Sequence, residues 1–179
     1  MNNFATEKVV INNPIGNLYR KSHVLILVVN KEGNFVLGKK KDFYPNRIAR
    51  MLGGGINEDE DSIHSAKREI QEELMISISL ASFKPLGVVI TKDVTKEGDM
   101  EMQTWIYSVG IPDSSKIKPS DDISGIQIFT PERYILLVEE MTNLSGEFIT
   151  DKFSFFWSDW GKIYAPIHKH APEWYKDSE

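Results

Sequence analysis

Residues 23–30 (His-Val-Leu-Ile-Leu-Val-Val-Asn) run apolar almost without a break, and Lys31-Glu32-Gly33-Asn34 separates them from Phe35-Val36-Leu37-Gly38. A β-branched and aliphatic run of this length predicts a buried strand, then a Gly/Asn turn and a second strand. Upstream, residues 8–11 and 18–20 flank Asn12-Asn13-Pro14-Ile15-Gly16-Asn17, whose turn formers predict an N-terminal hairpin. Downstream, residues 86–91 and 102–109 read as two strands joined by a polar loop over 92–101, and residues 125–129 as a short one.

The period changes over residues 62–74, where Ile63, Ala66, Ile70 and Leu74 recur at helical spacing behind the cap candidates Asp61 and Ser62. A helix follows. A second is predicted after Thr130, with Pro131 in its first turn and Tyr134, Leu137, Val138 and Met141 facing inward. A third begins near Thr150-Asp151 and carries Phe153, Phe156, Trp157 and Trp160. With no internal repeat, low-complexity tract or linker, the pattern describes one α+β domain over residues 1–179. Residues 1–22 form its hairpin extension and residues 150–179 its C-terminal helix and tail.

Composition narrows the picture. The chain has 179 residues, 41% hydrophobic and 26% charged, enough for one well-formed core. No apolar run approaches the ~20 residues that span a bilayer, and residues 1–8 have neither a basic cap nor a hydrophobic stretch, so a cytoplasmic protein without membrane association is expected. There are no cysteines, which excludes disulfides, thiolate metal sites and cysteine nucleophiles. The net charge of −5 argues against a nucleic-acid polymer as partner. It argues less against small phosphorylated molecules, because a bound divalent cation supplies positive charge locally.

The candidate chemistry lies in residues 53–76. At about 100° per residue, Glu69, Glu72 and Glu73 share one arc of the predicted helix, beside its apolar stripe. Like charges at this spacing repel by roughly 0.2–0.5 kcal/mol per pair. Something cationic must compensate. Converging carboxylate oxygens suit a hard divalent cation, and Mg²⁺ binds through a few carboxylates, retained waters and substrate phosphates. Gly53-Gly54-Gly55 just upstream allows a tight turn that brings backbone groups close without a Cβ in the way.

Counted from Gly54, the chain reads Gly-x5-Glu60-x7-Arg68-Glu69-Ile70-x-Glu72-Glu73-x-Met75-Ile76. It resembles the Nudix box, meeting every defined position except the glycine that Met75 replaces. The resemblance covers about an eighth of the chain and implies an α/β/α sandwich on a mixed β-sheet. It also implies a Mg²⁺-dependent hydrolase, Mn²⁺ being an alternative, in which metal-activated water cuts a diphosphate linkage in a nucleoside diphosphate derivative or related small molecule. The implied metal ligands are Gly53, Glu69, Glu72 and Glu73, with Glu69 or Glu73 also handling the water. Arg68, read as projecting away from the glutamate arc, is implied to hold Glu60 and so fix the geometry of the ligands.

A glycine after the helix would close it in the left-handed conformation, which costs methionine about 1 kcal/mol or more. A shifted helix end is therefore expected at Met75, with activity retained. An additional carboxylate from a distant loop often completes such sites. Glu97, Asp99, Glu101, Asp121 and Asp122 are the candidates here.

Residues 20–23 (Arg-Lys-Ser-His) and 42–45 (Asp-Phe-Tyr-Pro) look like the branch that includes isopentenyl-diphosphate isomerases and their hydrolase relatives. The isomerases use an active-site cysteine, so its absence favours a hydrolase. A non-catalytic nucleotide-binding module is the competing reading, disfavoured because it has no use for self-repelling carboxylates. A homodimer is left open. Three further features are discounted: His168-Lys169-His170 as a solvated tail, the aromatic series Phe153, Phe155, Phe156, Trp157 and Trp160 as core or dimer packing rather than base stacking, and Lys39-Lys40-Lys41 as a charged strand end.

Overall fold

Strand β2 (Ser22–Val29) is buried along nearly its whole length because its side chains feed two cores in alternation. Leu25, Leu27 and Val29 enter one, while Val24, Ile26 and Val28 enter the other. That is why the run is continuous rather than alternating. The computed structural model describes residues 3–12, 21–40, 45, 48–96, 98–111, 117–121, 123–150 and 154–178.

β2 pairs antiparallel with β3 (Phe35–Lys39), Val28 opposite Val36, and parallel with β5 (Gly98–Gly110), Val24 opposite Trp105. In the turn between β2 and β3, Asn30 Oδ1 accepts from the backbone N–H groups of Glu32 and Asn34. β1 (Asn3–Val10), β4 (Lys84–Thr95) and β6 (Gly125–Phe129) complete a mixed six-stranded sheet of order β1-β4-β5-β2-β3-β6. Helix α1 (Ser62–Leu74) covers one face, and α3 (Trp157–Lys176), with α2 (Pro131–Thr142) beside it, covers the other. This is the expected α/β/α sandwich. A small hairpin of β7 (Glu147–Ile149) and β8 (Ser154–Phe156) precedes α3. Among the described residues no helix is long and apolar enough to cross a membrane.

Several expectations are corrected. The polar segment 92–101 is mostly strand rather than loop: β4 and β5 stay paired to Thr95 opposite Gly98, because polar residues occupy alternate positions while Asp93 and Met102 turn inward. β1 takes a distant parallel partner, Val9 lying opposite Asp93, and residues 13–20, with the second arm of the expected hairpin, lie outside the described residues. α3 starts at Trp157, not near Thr150, since Ser154–Phe156 pairs with β7 first.

The aromatic series does pack the core, with Phe155, Trp157 and Trp160 buried and Trp160 stacked on Tyr164 at 4.8 Å. Phe153 lies outside the described residues. His168-Lys169-His170 is no solvated tail. His168 is fully buried with Nδ1 2.9 Å from the Tyr134 hydroxyl, and burial pushes its pKa down to about 3. His170 Nε2 lies 2.8 Å from Glu7 Oε1, and its ring stacks on Trp174. Helix α3 buries His168 and leaves His170 half-buried because its inner face continues through Ile163, Ile167 and Ala171.

Candidate active site

Helix α1 begins where sequence predicts. Asp61 caps it by accepting from the His64 N–H at 2.9 Å, and that bond, with a second to the His64 ring, holds the Asp61 carboxyl below its ordinary range. Ile70, Leu74 and Ala66 bury one face against β2 and β5, and the Ser62 hydroxyl meets the Tyr107 hydroxyl at 2.7 Å. These contacts fix the height and rotation of α1, and therefore where its glutamates stand.

The glycine loop runs beside β2. Val24 N donates to Gly54 O at 2.9 Å and Ile26 N to Leu52 O at 2.8 Å, so the loop is held as an extra antiparallel segment. Gly53 takes φ +133°, and a Cβ there would overlap the Val24 carbonyl. At Gly54 a Cβ would lie 2.7 Å from Glu69 Oε1, so the space a side chain would fill is used by a carboxylate.

The three helix glutamates stand at graded depth. Glu73 is 6% exposed and takes a 2.8 Å hydrogen bond from the Gly53 N–H onto Oε2. The Glu69 side chain is 12% exposed and that of Glu72 51%. Burial raises the Glu73 pKa, opposed in part by the charge of Arg50 and the Gly53 hydrogen bond. Burial thus makes the Glu73 carboxyl readier to hold a proton than an ordinary exposed glutamate.

Arg68 is placed differently from expectation. It does grip Glu60, through Nε at 3.1 and 3.2 Å and Nη2 at 3.0 Å, and Nη2 also donates to Gly55 O at 3.0 Å. Instead of projecting away from the glutamate arc, however, its Nη1 donates to Glu69 Oε1 at 2.7 Å and to Glu72 Oε2 at 3.0 Å. The guanidinium fork is long and planar enough to serve loop and helix at once. Ser65 adds a 2.6 Å hydrogen bond to Glu60, and with Arg68 it holds the Glu60 carboxyl below its ordinary range.

The helix end is also corrected. Met75 sits at φ 54°, ψ 32°, its N–H on Gln71 O at 3.1 Å, so α1 closes in the left-handed turn with methionine doing what glycine does more cheaply. Met75 is 65% exposed, so nothing in the core resists that conformation.

The donor set of Glu69, Glu72, Glu73 and the Gly53 carbonyl is all oxygen and suits Mg²⁺ in type. Among the described residues no three acidic or histidine side chains form a ready metal cluster; Glu69 and Glu72 are held by Arg68 and Glu73 by the Gly53 N–H. Of the additional carboxylate candidates, Asp99, Glu101 and Asp121 are exposed, while Glu97 and Asp122 lie outside the described residues. Asp121 follows Ser120, whose N–H donates to Glu73 O at 3.1 Å.

Sequence reasoning missed Arg50. Its Nη2 donates to Gly53 O at 2.9 Å, and with Lys40 it lines a small cavity against Glu73. No periodicity marks it. Lys40, discounted as part of a charged strand end, acts by charge on Glu73, and Lys41 lies outside the described residues.

Residues 19–151 match the NUDIX domain, and the chain belongs to that family. Solved structures share its fold at low identity. The Escherichia coli dihydroneopterin triphosphate pyrophosphohydrolase superposes with TM-score 0.53 at 12% identity, over 65% of this chain and 85% of that one. A MutT protein from Methanosarcina mazei Go1 gives TM-score 0.53 at 12% identity, over 91% and 98%. No curated protein matches the chain in sequence.

Proposed function

We propose that this Nudix pyrophosphohydrolase cleaves a diphosphate linkage in a nucleoside diphosphate derivative or a related small molecule, using Mg²⁺ or Mn²⁺. The observation that carries the reading is the joining of Glu60, Glu69 and Glu72 through one guanidinium, with Glu73 set behind them on the glycine loop. Glu69, Glu72, Glu73 and the Gly53 carbonyl would hold the ion. When bound, it supplies charge neutralisation for the phosphoryl oxygens and lowers the pKa of a water ligand.

The chain's own residues do the rest. Hydrolysis forms one P–O bond from water and breaks one bond of the P–O–P bridge, so a proton must leave the attacking water. Glu73, whose burial raises its proton affinity, suits that acceptor role better than Glu69, which Arg68 holds in an ion pair. Arg68 and Glu60 position the ligands and touch neither water nor substrate in this scheme. The E. coli neighbour is itself a pyrophosphohydrolase, in keeping with the reading.

The test is release of phosphate-containing products from a panel of nucleoside diphosphate derivatives, with and without Mg²⁺. Glu73→Gln should reduce turnover by about 10²–10⁴-fold with an unchanged circular dichroism spectrum. Turnover at the parental rate would remove Glu73 from the chemistry. Nucleotide binding without metal-dependent product release from any substrate would favour the binding-module reading instead.

A further inference from the structure

We infer that Arg50 is a resident competitor for the metal ion at the Gly53 carbonyl, so that a divalent cation enters only as the guanidinium lets go of that oxygen. This rests on the metal-dependent reading above.

The backbone fixes where Arg50 can act. Its N–H donates to Gly38 O at 3.0 Å and its carbonyl accepts from Gly38 N at 2.9 Å, which pins the residue to β3. From there the side chain gives Nη2 to Gly53 O at 2.9 Å. Gly53 has little freedom to answer by moving. Its N–H is committed to Glu73 Oε2 at 2.8 Å, and its positive φ lets the chain pass the Val24 carbonyl without a clash.

Arg50 therefore serves two donors of the proposed ion site at once. It hydrogen-bonds the carbonyl directly, and among the neighbouring charges it is the strongest influence on Glu73, keeping that buried carboxyl more acidic than burial alone would leave it. Both are tasks a divalent ion would perform. A carbonyl oxygen has two lone pairs and could in principle accept both partners. But a guanidinium and a dication on one oxygen would stand within a few ångströms of each other, in a half-buried place where water screens them poorly. The two cations exclude one another.

Lys40 provides the internal control. It lies in the same small cavity and acts on the same Glu73 carboxylate through its charge, yet among the described residues it makes no hydrogen bond to the Gly53 carbonyl. If charge alone weakened ion binding, Lys40→Met would tighten it too, though less than Arg50→Met because Arg50 is the stronger influence on Glu73, and Arg50→Lys, which keeps the charge, would change little. If occupation of the carbonyl is the cause, Arg50 stands apart.

The experiment is Mn²⁺ binding by titration calorimetry on the full chain, for the parent, Arg50→Met, Lys40→Met and Glu73→Gln, each checked by thermal unfolding. Arg50→Met should bind Mn²⁺ about tenfold or more tightly than the parent, Lys40→Met less than threefold more tightly, and Glu73→Gln more weakly. As a readout free of turnover, labelling glycine with ¹³C at the carbonyl and ¹⁵N at the amide marks only the Gly53-Gly54 and Gly54-Gly55 pairs, the two Gly-Gly steps in the sequence. The Gly53 carbonyl resonance should shift at lower Mg²⁺ concentration in Arg50→Met than in the parent. Arg50→Lys keeps the charge without the fork, and it covers the case in which Arg50→Met does not fold; it should also bind Mn²⁺ more tightly. Affinity unchanged or weakened in the Arg50 variants, or raised equally by Lys40→Met, overturns the inference while the Glu73→Gln loss leaves the metal site standing. Absence of Mn²⁺ binding in every variant overturns both.

Discussion

Arg68 and Glu60 meet in a fork, Nε and Nη2 both within 3.2 Å of the carboxylate, across the turn that joins the glycine loop to α1. The same guanidinium reaches Glu69 and Glu72, so a single side chain sets the spacing of three of the four box glutamates.

Arg68→Lys should therefore lower kcat/KM by about 10–100-fold, because an ammonium cannot hold loop and helix together and the proposed ligands lose their supporting contacts. The expected stability loss is modest, about 1–2 kcal/mol, since the group is partly exposed and solvent screens it. Steady-state kinetics beside urea unfolding separates the two effects. A variant with parental kcat/KM would show that Arg68 does not position the site.

Met75→Gly should stabilise the chain by about 0.5–1 kcal/mol. The left-handed conformation costs methionine roughly 1–2 kcal/mol, and glycine returns part of that through the greater freedom of its unfolded state. Because the methionine side chain is largely exposed, little packing is lost. The denaturant midpoint should rise with its slope unchanged, and a fall would contradict the left-handed assignment.

Asp93 makes stability depend on pH in an unusual direction. It is fully buried on β4, with neither carboxylate oxygen hydrogen-bonded among the described residues, and burial pushes its pKa up to about 6. The folded protein then holds this proton more tightly than the unfolded chain does, so stability falls as pH rises from about 4 to about 6 and stays reduced above. The effect is of the order of 2–3 kcal/mol. Asp93→Asn removes it: relative to the parent, the variant should gain stability between pH 4.5 and pH 8 in urea unfolding. Parallel pH profiles for the two proteins would show that Asp93 ionises normally.

Much of the local structure around the glutamates is legible in the sequence alone. Residues 62–74 announce their helix because apolar spacing, the Asp61 cap and the alternation of Ile70 with the glutamates all agree, and the structure returns the same thirteen residues. The unbroken run of β2 likewise reports a strand covered on both sides. The parallel pairing of β1 with β4 was hidden, since Val9 and Asp93 meet across more than eighty residues and neither carries a local mark of the other. The extent of β4 and β5 is hidden for a related reason: polarity over 92–101 predicts a loop, whereas pairing lets polar residues occupy the outward positions of a strand.

Local order and the list of chemical groups were written in the sequence: which turn must be glycine, which helix bears the acids, and which arginine stands among them. Tertiary structure alone decided the use of those groups. A guanidinium's reach and a backbone amide's direction depend on what the sheet and helix bring within 3 Å, so it took the fold to set Glu73 on the Gly53 N–H, turn Arg68 toward Glu69 and Glu72, and lay Arg50 on the Gly53 carbonyl.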